Sequence, residues 1–452
     1  MSFPRYPEYK DSGVQWLGEV PEHWIVMPLK RDIEFITSGA RGWAENYADD
    51  GDLFLRIGNL TRDSIRLDLS DTQRVVVPYG AEVDRTQVQA GDILFSITAY
   101  LGSVAVVPAV LGRAFVSQHV ALVRPSKKHC ISEWLAYVAI SYVGKTHLET
   151  TGYGGTKVQL SLADVTSLPM IVPPIDEQQA ITTFLDRETA KIDALVAEQE
   201  KLIALLQEKR QAVISHAVTK GLNPNVPMKD SGVEWLGEVP AHWEVRRVKD
   251  YFQTCSGGTP NTGQQALYYT DEENGIPWVR TTDLQNDILR NVEVFITEQA
   301  LIDTACSILP KGTVMVAMYG GDGTVGKNGL LAIAAAINQA VCGLLPANTH
   351  SPEYTFRFMQ FYRPHWMIGA ESSRKDPNIS QERVRNAPFL RPPIEEQKDI
   401  VTFLDHQLCA FDTLMAEART AITLLQERRT ALISAAVTGQ IDVRNWSPQE
   451  GA

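Results

Sequence analysis

Two long segments of the chain carry hydrophobic residues at helical spacing. In residues 173–219 the apolar positions form a heptad series, Leu185, Ile192, Leu195, Leu202, Leu206 and Val213. Residues 392–438 repeat the series with Leu404, Phe411, Leu414, Ala421, Leu425 and Leu432. Further apolar residues widen the first stripe: Phe184, Val196, Ile203, Leu205 and Ile214. The pattern predicts two helices of about 44 residues, each roughly 65 Å long if it is continuous.

Both segments begin with the same entry signal. Each starts with Pro-Pro-Ile and continues with an acidic pair, Asp176-Glu177 in the first and Glu395-Glu396 in the second. Proline is tolerated in the first turn of a helix, and carboxylates there interact favourably with the positive end of the helix dipole. Each segment could be one helix of an ordinary bundle, but two copies that each follow a globular segment favour an intramolecular helical pair.

The similarity of the two helices is part of a larger internal repeat. Residues 10–26 (KDSGVQWLGEVPEHWIV) and 229–245 (KDSGVEWLGEVPAHWEV) are identical at 14 of 17 positions, at an offset of 219. The helical segments match at 26 of 47 positions at the same offset. A shared offset in two distant blocks indicates a duplicated unit of about 219 residues.

Between the repeated blocks lie two dissimilar segments, which we name lobe 1 (residues 27–172) and lobe 2 (residues 246–391). Short β-branched or apolar runs bounded by Gly, Pro and Asp predict strands, for example Arg74–Val77, Ile93–Ile97, Ser103–Val107 and Val314–Met318. Faint similarities remain, such as Phe54-Leu-Arg-Ile with Trp278-Val-Arg-Thr and Gly91–Ile97 with Gly312–Met318. We expect α+β lobes with helices around 131–149 and 352–368.

Composition excludes several classes of protein. Hydrophobic residues make up 44% of the chain and charged residues 21%, which is unlike a disordered tail or a collagen. The longest apolar run, Leu330–Ile337, is far shorter than the ~20 residues of a membrane helix, and the first residues do not resemble a signal peptide. The five cysteines contain no Cys-x-x-Cys pair. We therefore expect a cytoplasmic protein with reduced thiols and no membrane partner.

The net charge of −12 argues against a generic nucleic-acid binder. The acidic excess, however, lies outside the lobes. Lobe 1 contains 14 basic and 15 acidic residues, lobe 2 contains 14 of each, and each helical segment has a net charge of −3. The lobes can therefore present locally positive loops to DNA.

Motifs for catalysis are incomplete. Gly321–Asn328 approaches a phosphate-binding loop, but Asn328 replaces the hydroxyl residue that binds Mg²⁺. The Pro-Pro pairs lack the flanking polar and aromatic residues of an aminomethyltransferase motif, and Glu198–Lys201 fits a nuclease only loosely. The histidines lack the His-x-x-x-His and His-Glu-x-x-His spacings of zinc sites. His23 and His242 occupy equivalent positions of the repeat, which favours a structural role for both. We predict no catalytic residues and no metal site.

Polar, glycine-punctuated loops supply candidate DNA contacts. Arg and Lys can bind guanine edges or phosphates, Asn can read adenine, and Ser, Thr and Gly amides can bind phosphates. Any single one of these loops is more simply explained as an ordinary turn. In lobe 1 the candidates are Ser38, Arg41, Arg56, Asn59, Thr61, Arg62, Tyr100, Gly154, Thr156 and Lys157. In lobe 2 they are Ser256, Gly258, Thr259, Arg280, Thr281, Thr282, Tyr319, Lys327, Ser372, Ser373, Arg374 and Lys375.

The repeated SGV-[EQ]-WLGEVP-x-HW block, the PPI-[DE]-EQ helix entry and the [LV]-Q-E-[KR]-R helix end resemble the specificity subunit of type I restriction–modification enzymes. The resemblance covers residues 10–441. It implies an α+β fold in which two strand-rich target-recognition domains are separated by two long antiparallel helices, with an internal pseudo-twofold repeat. It also implies that each lobe reads one half of a split double-stranded DNA target.

The resemblance further implies a domain plan and partners. The N-terminal shared block is 1–26, the recognition domains are 27–172 and 246–391, the spacer helices are 173–222 and 392–441, the linker with the repeated block is 223–245, and the tail is 442–452. Two modification (methyltransferase) subunits are expected to dock on the helices, and restriction subunits to join them. S-adenosylmethionine, ATP and Mg are expected on those subunits, and no cofactor in this chain.

Two rival functions stay open on sequence grounds. One is a helical adaptor that does not bind DNA. The other is a single chain that fuses recognition to methylation or cleavage, although at 452 residues no segment remains for such a domain.

Overall fold

The structure, a computed structural model, describes residues 3–99, 101–152, 159–321, 323–367 and 378–446. The chain divides into two compact units. Unit 1 is formed by Met1–Gln199 and Arg419–Ala452, and unit 2 by Glu200–Ala418. Each unit thus contains one lobe, one half of the first long helix and one half of the second.

Lobe 1 and its flanking block contain short strands and short helices. The strands are β1 (Tyr9–Asp11), β2 (Glu19–Pro21), β3 (Ile25–Pro28), β4 (Ile33–Ser38), β5 (Tyr47–Ala48), β6 (Asp52–Leu55), β7 (Gln73–Val75), β8 (Ile93–Ser96), β9 (Val104–Val106), β10 (Ala114–Val116), β11 (Val120–Pro125) and β12 (Pro169–Val172). The helices are α1 (Ala81–Thr86), α2 (Ser132–Ile140), α3 (Tyr142–Thr151), α4 (Leu162–Thr166) and the long α5 (Ile175–Lys220).

Lobe 2 and its flanking block follow the same plan. The strands are β13 (Met228–Asp230), β14 (Glu238–Pro240), β15 (Glu244–Arg247), β16 (Thr254–Ser256), β17 (Tyr269–Thr270), β18 (Ile276–Val279), β19 (Asp287–Leu289), β20 (Phe295–Ile296), β21 (Ile308–Leu309), β22 (Val314–Ala317), β23 (Asn328–Leu331), β24 (Ala335–Ile337), β25 (Val341–Leu344) and β26 (Pro388–Arg391). The helices are α6 (Gln265–Tyr268), α7 (Glu298–Asp303), α8 (Pro352–Tyr362), α9 (Gln381–Asn386) and the long α10 (Ile394–Val437).

Each lobe is built on two sheets. In lobe 1, β4, β11, β8 and β9 form an antiparallel sheet in that order, and β10, β6, β7 and β5 form a second sheet in which β6 and β10 are parallel. In lobe 2 the orders are β16-β25-β22-β23-β19 and β17-β20-β18-β24-β21, and β18 and β24 form the equivalent parallel pair. The α+β prediction is confirmed, and the predicted helix at 131–149 is observed as α2 and α3.

The helix entry signal has a structural explanation. The helices begin at Ile175 and Ile394, directly after the proline pairs. The Gln178 side chain is buried, donates to the carbonyls of His129 and Pro173 at 2.7 and 2.8 Å, and accepts from the Ile131 amide at 3.0 Å. Its equivalent Gln397 is also buried and bonds lobe 2 in the same way, accepting from the Ser351 amide at 2.8 Å. The glutamine of the repeated motif therefore fastens each long helix to its own lobe.

The two histidines of the repeated block have structural parts, as predicted. His23 Nε2 lies 2.9 Å from Glu177 Oε2, and His242 Nε2 lies 2.8 Å from Glu396 Oε2. In unit 1 the buried Glu177 carboxylate also accepts from Tyr6 Oη at 2.5 Å and from Trp24 Nε1 at 3.2 Å. Burial and this carboxylate together raise the pKa of Tyr6.

The long helices pack against each other within each unit, and equivalent ion pairs link them. In unit 1, Arg429 Nε lies 3.0 Å from Asp193 Oδ1; in unit 2, Arg210 Nε lies 3.5 Å from Asp412 Oδ1. Asp193 and Asp412 are equivalent at the repeat offset, as are Arg210 and Arg429. The earlier position in α5, Asp193, pairs with the later position in α10, Arg429, and the later position in α5, Arg210, pairs with the earlier one in α10, Asp412. This reversed order is what antiparallel packing requires.

Nine of the twelve positions of the predicted heptad series are buried or half-buried, and three are not. Leu195, Leu202 and Leu414 were predicted in the seam but are exposed. One buried or half-buried run of α10 alternates at spacings of four and three: Leu404, Leu408, Phe411, Met415, Ala418, Ile422, Leu425 and Arg429. It keeps Leu404, Phe411 and Leu425 of the predicted series and contains Met415 in place of Leu414. In α5 the same phase includes the buried Thr189 and the half-buried Arg210. The prediction followed the most apolar residues, whereas the seam accepts Thr and Arg because each finds a polar partner.

Removing the carboxylate of each ion pair should destabilise the protein unequally. The Arg429 side chain is only 8% exposed, whereas that of Arg210 is 27% exposed. Asp193→Ala leaves Arg429 charged and buried, and we expect it to lower the free energy of unfolding by about 1–3 kcal/mol. The matched change Asp412→Ala should cost no more than ~1 kcal/mol, because water can solvate Arg210. Urea unfolding followed by circular dichroism measures both, and equal costs would contradict the assigned difference.

All five cysteines are unpaired, so disulfides do not contribute to the stability of either unit. Within the described ranges, no helix combines the length and the hydropathy that a membrane span requires.

Candidate nucleic-acid interface

The candidate residues of lobe 1 come together through the parallel pair β6 and β10. In that pair Leu55 lies beside Val116, and the Ser117 amide donates to the Leu55 carbonyl at 2.9 Å. Arg56, the residue after β6, therefore lies beside the turn Ser117-Gln118-His119 that connects β10 to β11. The carboxyl ends of parallel strands share one sheet edge.

The end of β4 reaches the same turn. The Gly39 amide donates to the Val120 carbonyl at 3.0 Å, and the Ala40 amide to the Val116 carbonyl at 2.9 Å. A Cβ atom at Gly39 would lie 2.2 Å from the Ser117 carbonyl oxygen, so only glycine permits this approach. Ser38 and Arg41, on either side, line a cavity of about 350 Å³ together with Gln118 and His119.

Arg56 is held loosely at this edge. Its guanidinium donates to Asp71 Oδ2 at 3.1 Å, but the Asp71 side chain is 90% exposed. Arg56 Nε is buried and has no hydrogen-bond partner among the described residues, and the same holds for the neighbouring Ser117 Oγ. An exposed ion pair contributes little, so Arg56 can exchange Asp71 for another acceptor at small cost.

The predicted base contact of Asn59 is not supported. Its buried side chain accepts from the Arg56 amide at 2.9 Å and donates to the Asp68 and Asp71 carbonyls at 2.9 and 2.8 Å. Both donors of its amide and one acceptor site are directed inward, so Asn59 shapes the loop that carries Arg56. Thr61 likewise closes a turn with Ser64, and Arg62 is exposed.

Lobe 2 builds the same edge with different side chains. Arg280 follows β18, and the Asn338 amide donates to the Val279 carbonyl at 3.0 Å, as Ser117 does to Leu55. Asp283 occupies the place of Asn59 and accepts from the Arg280 amide at 2.7 Å. The Arg280 guanidinium also donates to Asp283 and Glu293 at 2.9 and 3.1 Å, and the hydrogen bond to Asp283 raises the pKa of Arg280.

The other described candidates of lobe 2 lie at this edge as well. Thr281 is half-buried and Thr282 exposed in the turn after β18. Ser256 ends β16, and the Thr259 hydroxyl donates to Gln339 Oε1 in the turn between β24 and β25. Tyr319 follows β22, whose end pairs with the start of β25, and Lys327 precedes β23. The Gly258 amide donates to the Ile337 carbonyl at 3.2 Å, while its carbonyl accepts from Trp278 Nε1 at 3.1 Å.

Eight candidates lie outside the described residues and stay predictions. They are Tyr100, Gly154, Thr156, Lys157, Ser372, Ser373, Arg374 and Lys375.

Sequence reasoning missed the turn at the centre of each edge. Ser117-Gln118-His119 in lobe 1 corresponds to Asn338-Gln339-Ala340 in lobe 2, and both glutamines are exposed. The signal was present as Val-Ser-Gln-His-Val against Ile-Asn-Gln-Ala-Val, but at an offset of 221 instead of 219. Unequal loop lengths in the lobes displace it from the register of the repeat.

The rival motifs gain no support from the geometry. Lys327-Asn328 leads into strand β23, whereas a phosphate-binding loop leads into a helix. Glu198–Lys201 lies within the continuous helix α5. In the part of the chain that the structure describes, no group of three His, Cys, Asp or Glu side chains is arranged to hold a metal ion.

Sequence comparison relates the chain to proteins of similar length. A family model described as type I restriction modification DNA specificity domain matches residues 30–204 and 240–423. The chain is 22% identical to a putative type I restriction enzyme MjaX specificity subunit of Methanocaldococcus jannaschii, over 95% of this chain and 96% of that protein. It is 21% identical to the type I restriction enzyme EcoKI specificity subunit of Escherichia coli, over 94% and 90%.

Solved structures share the fold. A chain from a type I R-M system, studied for its complex assembly and conformational transition, superposes with a TM-score of 0.68 at 18% identity, covering 93% of this chain and 99% of that chain. The HsdS subunit from Thermoanaerobacter tengcongensis superposes with a TM-score of 0.51 at 16% identity, covering 93% and 98%. With the repeated match of the family model to both lobes, the chain belongs to the type I restriction modification DNA specificity family.

Proposed function

We propose that this chain is the DNA specificity subunit of a type I restriction–modification complex and that each lobe reads one half of a split target. One observation carries the proposal. Both lobes place the same backbone edge around the turn between β10 and β11 or between β24 and β25. They share an arginine and the central glutamine, but differ in other polar positions: Asn59 against Asp283, Ser117 against Asn338 and His119 against Ala340. A common frame with different polar groups suits the recognition of two different half-sequences.

The helices supply a surface for two copies of one partner. Leu195 and Leu424 are 44% and 59% exposed in unit 1, and their equivalents Leu414 and Leu205 are 46% and 51% exposed in unit 2. Each unit thus exposes the same pair of leucines on its helices. Exposed leucines at repeated positions suit partner helices, and we assign them to two modification subunits, one for each unit.

The chemistry of the complex is assigned to other subunits. Restriction subunits would join the assembly, and S-adenosylmethionine, ATP and Mg would bind to the partner subunits, in the cytoplasm. This chain would then contribute recognition and spacing without catalysis. The two rival functions, a DNA-free adaptor and a fused single-chain enzyme, find no feature in the described residues that favours them.

Methylome sequencing of cells that carry this chain with its modification subunits tests the proposal. We expect methylation at a split target with two defined halves and an undefined gap. Arg56→Ala should relax base preference in one half only and cost on the order of 1–3 kcal/mol of discrimination, if Arg56 contacts a base edge.

Arg66→Ala is the matched control for Arg56→Ala. Arg66 is exposed and follows Ile65, whose carbonyl accepts from the Val106 amide at the opposite end of the sheet. Removing the Arg66 side chain should therefore leave the target unchanged. Uniform weakening across all sequences would make Arg56 a phosphate contact. Methylation without a split target would overturn the proposed function.

A further inference from the structure

The backbone of the central turn is hydrogen-bonded on both sides of its middle residue in each lobe. In lobe 1 the Val120 amide donates to the Ser117 carbonyl at 2.9 Å, and the Ile97 amide to the His119 carbonyl at 3.1 Å. In lobe 2 the Val341 amide donates to the Asn338 carbonyl at 3.2 Å, and the Met318 amide to the Ala340 carbonyl at 2.8 Å. These bonds hold the middle residue of each turn, Gln118 or Gln339, in one place at the edge.

The side chains of these two glutamines are not needed to build the turn. Gln118 Nε2 lies 3.1 Å from His119 Nε2, and both residues line the cavity beside Arg41. Gln339 Oε1 accepts from the Thr259 hydroxyl across the edge. In both cases the exposed amide contacts another residue of the same edge, so a folding requirement does not explain why both lobes carry glutamine there.

Two unsatisfied polar groups lie on residues next to Gln118 in the chain or beside its turn. Ser117 Oγ and Arg56 Nε are buried without a hydrogen-bond partner among the described residues. Leaving buried polar groups unpaired is costly, which favours a polar ligand at this position. Base edges and phosphates offer the acceptors that Arg56 Nε lacks.

Resting on the proposed function, we propose that Gln118 and Gln339 are specificity-determining residues, each reading an adenine in its half of the target. A glutamine amide presents one donor and one acceptor, which match adenine N7 and N6 in the major groove. The neighbouring arginines, Arg56 and Arg280, would contact the same stretch of each half-target. The two half-targets would then share one feature, an adenine at the place facing the central turn.

Base substitution at single positions tests this. In the complex with its modification subunits, Gln118→Ala should reduce discrimination for adenine at one position of one half-target by about 5- to 150-fold. Gln118→Glu presents acceptors only and should move the preference at that position toward cytosine, whose N4 is a donor. Gln339→Ala and Gln339→Glu should act on the other half alone. Methylome sequencing and competition with substituted duplexes measure both effects.

Control variants separate the possible outcomes. Gln89 and Gln299 are exposed glutamines outside the central turns, one before β8 and one in α7, and their replacement by alanine should leave the target unchanged. Recognition of the half-target that the unsubstituted lobe reads serves as an internal control for folding and assembly of the same molecule. Unaltered preference at every position in Gln118→Ala, or weakening that is equal for all sequences, would overturn the assignment while the proposed function stands. If the complex with the unsubstituted chain methylates no split target, the proposed function is refuted.

Discussion

Replacing Leu195, Leu205, Leu414 and Leu424 by lysine is expected to abolish assembly with the modification subunits. All four are exposed, two in each unit at equivalent positions. Burying one leucine contributes roughly 1.5–3 kcal/mol, so losing two at each docking surface should weaken binding by at least about 100-fold. Native mass spectrometry of the mixed subunits measures the change.

The repeat provides a charge-matched control for the leucine variant. Glu198, Glu208, Glu417 and Glu427 are exposed on the same helices and form two equivalent pairs. Changing all four to glutamine alters the net charge by as much as the four lysines do, without touching the leucines. Assembly should persist in this control. If the lysine variant assembles as well as the glutamine variant, the exposed leucines do not form the docking surface.

Lengthening the long helices by four residues is expected to lengthen the gap in the DNA target. Four residues add ~6 Å of rise and rotate the rest of the helix by about 40° beyond a full turn. B-DNA advances ~3.4 Å and turns roughly 35° per base pair. An insertion after Glu200 in α5, paired with one after Arg419 in α10, should therefore add one or two undefined base pairs and keep both half-sequences. Methylome sequencing would reveal the new gap.

The ion pairs between the helices distinguish the paired insertion from a single one. Asp193 precedes Arg210 by 17 residues in α5, and Asp412 precedes Arg429 by 17 in α10. Insertion into α5 alone makes these spacings unequal, so the helices must slide or lose an ion pair, and we expect a lower free energy of unfolding than for the paired variant. An active paired variant with an unchanged gap would show that the helices do not set the spacing.

Much of the architecture could be predicted because its signals are local or repeated. The proline pairs predicted the starts of both long helices, since the residues that begin a helix are its neighbours in sequence. The runs at Ile93–Ile97 and Val314–Met318 predicted β8 and β22 from their composition. The shared offset of 219 predicted the duplicated plan without any knowledge of contacts.

The heptad series predicted most of the seam, but its polar members and the edge required the tertiary structure, because both depend on partners distant in the chain. Hydrophobicity alone favoured Leu414, but Met415 is the buried residue. Arg429 is also buried between the helices, because Asp193 of the other helix forms an ion pair with it. Asn59 has the side chain of a base reader, but it makes three hydrogen bonds to the loop backbone, and both of its donors are used in them. The turn at Gln118 could be identified as part of the candidate interface only from the parallel pairing of β6 and β10, which places it beside Arg56, 62 residues earlier in the chain. A sequence displays which groups are available, and strand pairing decides which of them meet.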